Sequence, residues 1–175
     1  NYKYKLGKRR NIEDQSTGFD ISDVVYLITP DRFSNGDETN DAFKSLKEKT
    51  IDRENTYARH GGDLRGIINS LDYFKNMGYT SLWLNPVLIN DMKIYSYHGY
   101  ATTDYYRVDP RFGTNAEYIE LANKASEKGI KMIKDIIVNH SGLYHWWMDD
   151  PPFNDWINNQ KIYQNAKSME DFEKN

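Results

Sequence analysis

The sequence contains no cysteine, so neither a disulfide framework nor a thiolate metal site can stabilise it. It also lacks any apolar run near the ~18 residues that a membrane-spanning helix needs. Positive charge is not in excess, because 23 Lys and Arg side chains stand against 26 Asp and Glu, for a net charge of -3. Proteins that bind nucleic acids usually carry a basic surface. We therefore expect no nucleic-acid partner and no insertion into a membrane.

Two classes of catalytic motif are missing as well. The glycine-rich patterns GxGxxG and GxxxxGK[ST], which cradle phosphates, do not occur. The GxSxG elbow of serine hydrolases is also absent. Aromatic residues are instead abundant, with 14 Tyr, 7 Phe and 4 Trp in 175 residues. Such rings suit stacking on sugars, protein interfaces or ordinary amphipathic packing, and composition alone favours packing.

Strands and helices are predicted to alternate along the chain. Apolar, β-branched runs predict strands at 24–29, 79–84 and 130–138, the first of them buried. Apolar residues at helical spacing predict helices at 64–78 and 114–129, each with a capping residue at its start and a glycine at its end. This α/β order requires parallel strands with right-handed crossovers. Either a doubly wound sheet or a (β/α)8 barrel provides them.

Both architectures place ligands at the carboxyl ends of the strands. A barrel usually takes ~250 residues, so three strands would form only part of one. The segments that follow residues 29, 84 and 138 are therefore the candidate functional regions. After the second strand we predict a loop of nearly thirty residues that carries most of the tyrosines, and loops of that length are usually functional.

Oxygen-bearing side chains are dense after the first strand. Calcium takes six to eight oxygen ligands from carboxylates, amides and backbone carbonyls. The candidate ligands are the side chains of Asn35, Asp37, Asn40, Asp41 and Asp63 and the carbonyl of Gly61. Their spacing is not that of an EF-hand loop, and a solvated turn rich in Asn, Asp and Gly is the alternative.

A second group of candidates follows the other two strands. His98 and Tyr100 flank a glycine, so a histidine donor and an aromatic face can approach one ligand, although a packed aromatic loop is the alternative. Asp135 is predicted to lie inside the apolar third strand, with His140 at the end of that strand. A carboxylate there needs a cationic or donating partner. Both an active-site role and a structural ion pair remain open for Asp135.

Four segments, in this order and spacing, resemble the alpha-amylase family of glycoside hydrolases, and most closely its neopullulanase or cyclomaltodextrinase-like branch. They are VVYLITPDRFSNGD, GGDLRGI, YHGYATTDYYRVDPRFGT and DIIVNH. The block HWWMDDPPFNDW resembles the same branch, and the resemblance covers roughly residues 22–160. It implies the N-terminal portion, about three βα units, of a catalytic (β/α)8 TIM barrel, followed by the beginning of an insertion after the third strand.

The resemblance also implies an activity and roles for the candidate residues. The family hydrolyses or transfers α-1,4 and, in some members, α-1,6 glucosidic bonds with retention, so an alpha-glucan or maltooligosaccharide is the implied substrate. Carried over by motif, Tyr100 stacks on the sugar before the cleaved bond, His98 and His140 donate to its hydroxyls, and Asp135 orients the site. Asn139 contacts a second calcium in some relatives. The Asn35–Asp63 cluster matches the calcium loop of this branch, so calcium is the implied cofactor, with a stabilising role.

The chain also departs from the family pattern. It has Ala101 after HGY, where many relatives have an aromatic residue. Retaining hydrolysis needs a nucleophilic carboxylate and an acid ~5–5.5 Å apart, and the family places both on later strands. We therefore expect no catalytic residue, and no glycosidase activity, in these 175 residues alone.

The remaining expectations concern organisation and alternatives. Residues 1–20 are expected to be a lead-in or linker from a preceding domain, 21–140 the barrel strands and helices, and 141–175 the start of the insertion domain. The resemblance implies a homodimer of the parent enzyme, and it leaves the compartment open because relatives are cytoplasmic or periplasmic. Two alternatives are a non-catalytic carbohydrate-binding protein on an amylase-like barrel and a self-contained doubly wound small-ligand domain.

Overall fold

The computed structural model describes residues 18–157 and 167–168. Its elements are β1 (Val25–Ile28), α1 (Pro30–Phe33), α2 (Leu64–Asn69), α3 (Leu71–Asn76), β2 (Ser81–Leu84), β3 (Leu88–Ile89), β4 (Asp104–Val108), α4 (Asn115–Glu127) and β5 (Lys131–Lys134). Short 3₁₀ helices lie at Glu38–Asn40, Ser96–His98 and Trp146–Met148. None of the helices within the described ranges has the length and apolarity to cross a membrane. Most of the predicted lead-in and the end of the predicted insertion lie outside the described residues, so those boundaries stay predictions.

Three parallel strands form the main sheet in the order β1–β2–β5. The first pair runs from Val25↔Ser81 to Ile28↔Leu84, and the second pair ends at Leu84↔Lys134. Strand order follows chain order, so right-handed crossovers place both helical connections on the same face of the sheet. Helices α2 and α4 contact each other on that face. This is the arrangement of consecutive βα units in a barrel wall.

The apolar core lies between the sheet and these helices. Fully buried side chains from both layers fill it, including Leu64, Ile67, Phe74, Leu82, Phe112 and Leu121. The opposite face of the sheet is open, since Val25, Leu27 and Trp83 are 44%, 57% and 40% exposed. The prediction that the first strand is buried is therefore wrong for this face, because the described residues supply no layer that covers it.

The helices begin at the expected capping residues. The Asp63 carboxylate accepts the N–H of Gly66 at 2.6 Å, and Thr114 and Glu117 form a reciprocal capping box. The first helical segment is two helices rather than the single one predicted. Ser70 leaves the helical conformation between them, and its hydroxyl donates to the carbonyl of Gly66 at 2.8 Å. Such back-bonding by serine competes with the regular helical ladder.

The second and third strands are shorter than predicted. β2 ends at Leu84, where Asn85 is followed by Pro86, which has no N–H for a ladder. Within the described residues β5 pairs only with β2. Its ladder therefore ends at Lys134, opposite Leu84, the last residue of β2. Asp135 therefore lies just past the strand and is partly buried. The prediction of a carboxylate inside the third strand is wrong.

The predicted loop of nearly thirty residues contains an antiparallel strand pair. β3 pairs with β4 through Leu88↔Val108 and Ile89↔Asp104, with an irregular register between them. With two residues, β3 is too short to give the alternating pattern that predicts a strand. Pairing of β3 with β4 brings together the two ends of the segment between these strands, and that segment carries the YHGY motif.

Candidate functional site

Asp135 connects the sugar-binding candidates at the carboxyl edge of the sheet. Its Oδ2 accepts a hydrogen bond from the Tyr100 hydroxyl at 3.1 Å and another from Trp83 Nε1 at 3.2 Å. Because Trp83 lies on β2 and Asp135 follows β5, one carboxylate joins two strands to the loop. Burial, helped by the bond to Asp135, raises the pKa of the Tyr100 phenol above its ordinary value. The hydroxyl therefore stays protonated and donates.

His140 holds the same tyrosine through its backbone. His140 Nε2 lies 2.9 Å from the Tyr100 carbonyl oxygen. A carbonyl can only accept, so Nε2 carries the proton. Tyr105 in turn donates from its hydroxyl to the carbonyl of His140 at 2.8 Å. His140 thus fixes the Tyr100 backbone while Asp135 fixes its hydroxyl.

His98 stacks on Tyr100 and has a defined tautomer. The Tyr100 N–H donates to His98 Nδ1 at 2.8 Å, and the two ring centroids are 5.9 Å apart. Burial lowers the pKa of His98 below 6.5, against a smaller opposite effect from the Glu48 charge. The neutral ring with its proton on Nε2 is therefore favoured. Gly99 between them has φ +82°, and a Cβ there would lie 2.0 Å from the Pro86 carbonyl oxygen.

The structure thus brings together all four residues that the sequence indicated as sugar ligands: His98, Tyr100, Asp135 and His140. Sequence reasoning missed Trp83 and Tyr105, which support Asp135 and His140. Trp83 gave only the signal of an apolar strand residue, and Tyr105 was one of many tyrosines in a predicted loop.

The candidate calcium ligands follow β1 and contact one another in pairs. They are Asn35, Asp37, Asn40, Asp41, Gly61 and Asp63, called the cradle below. Asp63 is fully buried, and its carboxylate accepts three backbone N–H groups and the Asn40 amide at distances between 2.6 and 3.2 Å. Asn35 Nδ2 donates to Asp41 Oδ1 at 2.7 Å. Gly61 has φ +87°, and a Cβ there would lie 2.5 Å from Asp41 Oδ1.

Two amide oxygens of the cradle are available to a hard cation, whereas both oxygens of Asp63 already accept N–H donors. Asn35 Oδ1 and Asn40 Oδ1 are buried and have no hydrogen-bond partner, although buried polar atoms are nearly always satisfied. Burial raises the pKa of Asp41, with an opposing contribution from its bond to Asn35. In the described portion of the chain, no group of three or more His, Cys, Asp or Glu side chains could hold a metal by itself. Ligation would therefore need the amide and carbonyl oxygens, which calcium accepts.

Buried contacts that the sequence did not predict connect the cradle to the loop that carries the YHGY motif, beginning with the Gly61 N–H, which donates to Asp31 Oδ1 at 3.4 Å. Asp31 is fully buried and forms ion pairs with Arg32 and with Arg59, the second at 3.5 Å. The Arg32 guanidinium lies 3.9 Å from the centre of the Tyr97 ring. That ring packs edge-on against His98 at 5.6 Å. Charged residues in a polar stretch give no signal that they will be buried, which is why this link was missed.

Comparison with known proteins gives concordant matches. Residues 27–172 match the family model described as alpha amylase, catalytic domain. The chain is 41% identical over 141 residues to a cyclomaltodextrinase of Thermoanaerobacter pseudethanolicus, covering 79% of this chain and 22% of that protein. It is 37% identical over 119 residues to neopullulanase 2 of Thermoactinomyces vulgaris, covering 68% of this chain and 20% of that protein.

Solved structures give the same result. An Anoxybacillus alpha-amylase matches with a TM-score of 0.74 and 38% identity, over 87% of this chain and 32% of that one. The chain spans between 10% and 22% of the length of curated relatives of this kind.

Proposed function

Since this chain belongs to the alpha-amylase family of glycoside hydrolases, we propose that it is part of a retaining enzyme that cleaves α-1,4 and also α-1,6 glucosidic bonds. The substrate would be an alpha-glucan or a maltooligosaccharide. The relatives named cyclomaltodextrinase and neopullulanase favour that branch. In this proposal the chain supplies sugar-binding groups, and the catalytic carboxylates lie outside these residues.

The arrangement around Tyr100 is the observation that carries the proposal. Its hydroxyl is fixed by Asp135, its backbone by His140, and its ring stacks at 25° to that of His98. A ring held in this way loses little freedom on binding, which favours affinity. His98 carries its proton on Nε2 and can donate to a sugar hydroxyl. His140 can do the same only by exchanging its bond to the Tyr100 carbonyl for one to the sugar.

Asp135 is assigned a positioning role, because its Oδ2 accepts from Tyr100 and Trp83 and the family resemblance gives this position a supporting role. A retaining hydrolase needs two carboxyl groups ~5–5.5 Å apart. We propose that neither is present here, so the 175-residue chain alone releases no reducing sugar from maltodextrin. Turnover by the purified chain that Asp135→Ala removes would overturn this.

Sugar binding by the chain itself tests the site. Calorimetric titration with maltose should show binding to the wild-type chain and none to Tyr100→Ala. Tyr106→Ala is the matched control, because Tyr106 lies on β4 and is 89% exposed. Unchanged binding by Tyr100→Ala, or an equal loss in both variants, would contradict the proposed site.

An activity assay on the full-length protein that carries this chain distinguishes a hydrolase from a non-catalytic binding protein. Retention at the anomeric carbon, followed by NMR during maltodextrin hydrolysis, is expected for the proposed enzyme. Binding without turnover would instead favour a non-catalytic carbohydrate-binding protein on an amylase-like barrel. The expected homodimer rests on the resemblance, and sedimentation velocity of the same protein decides it.

We further propose calcium as the cofactor that the cradle would hold. Members of this family commonly bind calcium, and the buried amide oxygens of Asn35 and Asn40 have no hydrogen-bond partner. When bound, the ion would fasten the loop after β1 to the start of α2 without taking part in bond cleavage. We expect calcium, but not magnesium, to raise the unfolding temperature of the wild-type chain, and Asn40→Ala to abolish that increase. No effect of calcium on the wild type would refute the assignment.

A further inference from the structure

A buried histidine joins the start of the predicted insertion to β4. His145 is 3% exposed, and its ring centroid lies 4.2 Å from that of Trp147, 5.6 Å from that of Trp146 and 5.6 Å from that of Tyr105. The two tryptophans belong to the HWWM block, for which the proposed sugar site gives no role, and Tyr105 lies on β4. His145 is thus a titratable group among rings from two separate segments.

The hydrogen bond of the His145 ring requires the neutral form. Nδ1 accepts the backbone N–H of Trp147 at 3.1 Å and so caps the 3₁₀ helix Trp146–Met148. A proton on Nδ1 would place one donor against another and remove this bond. Burial also lowers the pKa of His145 below its ordinary value of 6.5, against a smaller opposite effect of Asp104. The cap and burial therefore both favour the uncharged ring.

The charges near the ring come from β4 and from the chain on both sides of the 3₁₀ helix. Asp104 is the charged group that acts on the His145 pKa in the described part of the chain, and it pairs with Arg107 at 2.7 Å. Because Arg107 balances its charge, Asp104 offsets the effect of burial only in part. The other titratable groups of these segments are Tyr105, His140, Tyr144, Asp149 and Asp150.

Tyr105 links this cluster to the sugar-binding residues. Its ring stacks on that of Trp147 at 5.9 Å and 30°, and its hydroxyl donates to the His140 carbonyl at 2.8 Å. His140 Nε2 in turn donates to the Tyr100 carbonyl. The position of the rings around His145 therefore decides whether Tyr105 can hold His140 in place.

The backbone before the 3₁₀ helix is fastened to the loop that carries the YHGY motif. The Gly142 N–H donates to the Thr102 carbonyl at 2.7 Å, and the His145 N–H donates to the Gly142 carbonyl at 2.9 Å. A Cβ at Gly142 would lie 2.3 Å from the Ala101 carbonyl oxygen, so the two segments are in close contact. Displacement of the 3₁₀ helix would therefore be felt two residues after Tyr100.

We propose that His145 is a positioning residue that keeps the sugar-binding site assembled only while its ring is neutral. When Nδ1 takes a proton from solvent, the ring loses the Trp147 N–H and leaves the aromatic cluster. Tyr105 then no longer holds His140, and the sugar binds more weakly. This inference rests on the proposed function, because it concerns the control of the same site by pH.

Imidazole NMR titration of the 175-residue chain, with and without saturating maltose, tests the coupling. Linkage is reciprocal, so a sugar that binds better to the neutral state must lower the midpoint of His145. The midpoint of His60, whose ring contacts the Asn55 carbonyl instead, should not move. A merely structural role would leave the His145 midpoint equal in both samples. Tyr105→Phe keeps the ring but lacks the bond to the His140 carbonyl, so it should reduce the shift.

Calorimetric titration with maltose from neutral to mildly acidic pH measures the same coupling as an affinity. Below the His145 midpoint the wild-type affinity should fall by up to about tenfold per pH unit, because only the neutral fraction binds. His145→Asn keeps an acceptor for the Trp147 N–H but does not titrate, so at neutral pH it should bind within about threefold of the wild type. Its affinity should fall less steeply with acid, and the slope that remains belongs to His98. His60→Asn is the matched control and should keep the wild-type profile.

The outcomes separate this inference from the proposed function. If the wild-type chain binds no maltose at neutral pH, both fail. If it binds maltose but the sugar leaves the His145 midpoint unchanged, or if His145→Asn keeps the wild-type pH profile, the coupling alone is wrong. The midpoint is measured on the wild type, so it decides the question even if His145→Asn does not fold.

Discussion

Replacing Asp63 with alanine should lower the free energy of unfolding of this chain by about 3 kcal/mol in calcium-free buffer. The Asp63 side chain is fully buried and accepts hydrogen bonds from the N–H groups of Gly36, Asp37 and Gly66. Loss of the cap at Gly66 costs ~1 kcal/mol. The N–H groups of Gly36 and Asp37 also lose their acceptor. Each loss costs ~1 kcal/mol, the low end of the range, because these groups are only partly buried and water can reach them.

Urea unfolding followed by the fluorescence of the four tryptophans measures this change. Asp72→Ala is the matched control, because it removes an aspartate from the same helical region. The Asp72 side chain is 77% exposed, even in its ion pair with Lys128. That variant should stay within ~0.5 kcal/mol of the wild type. The reasoning is refuted if Asp63→Ala loses less than ~1 kcal/mol, or no more than Asp72→Ala, since the buried hydrogen bonds would then contribute nothing. Added calcium should widen the gap between the wild type and Asp63→Ala, because only the wild type keeps the complete cradle.

Three further predictions concern single groups. Tyr100→Phe keeps the ring but removes the bond to Asp135, so maltose should bind severalfold more weakly by calorimetry, yet more tightly than to Tyr100→Ala. NMR titration of His98 should give a midpoint below 6.5, because burial lowers its pKa. The unfolded state then takes up the proton first, so the free energy of unfolding should fall as pH drops below 6.5, and His98→Gln should reduce that slope; a midpoint above 6.5 would contradict it. Gly61→Ala places a Cβ 2.5 Å from Asp41 Oδ1, so thermal unfolding of that variant should no longer respond to calcium.

Local signals made much of the fold predictable from the sequence. The order of strands and helices followed from apolar runs and caps that each lie within a few residues, such as Asp63 and the Thr114–Glu117 capping box. Structural neighbours and the family match confirm the barrel fold class. The contact between Tyr100 and Asp135 agrees with the rule that the carboxyl ends of parallel strands share an edge, whereas the roles of these residues were implied by the family resemblance.

Features that depend on partners distant in sequence could not be predicted in the same way. Arg111 is buried with its neighbour Asp109 because it donates to the distant carbonyls of Glu48 and Asn90, but charged residues in a tyrosine-rich segment look like surface residues. β5 ends where its partner strand β2 ends. The sequence of β5 itself therefore does not determine its length. The two-residue strand β3 exists only because β4 pairs with it.

The uncovered side of the three-stranded sheet determines how this chain must be handled in solution. Val25 and Leu27 on β1 and Trp83 on β2 form an exposed apolar patch. β1 and β5 are the edge strands, each with one neighbour among the described residues. Edges of this kind recruit other strands. Preparations of the isolated chain should therefore cluster as concentration rises and brighten apolar dyes, and dilute samples kept cold will give the cleanest titrations.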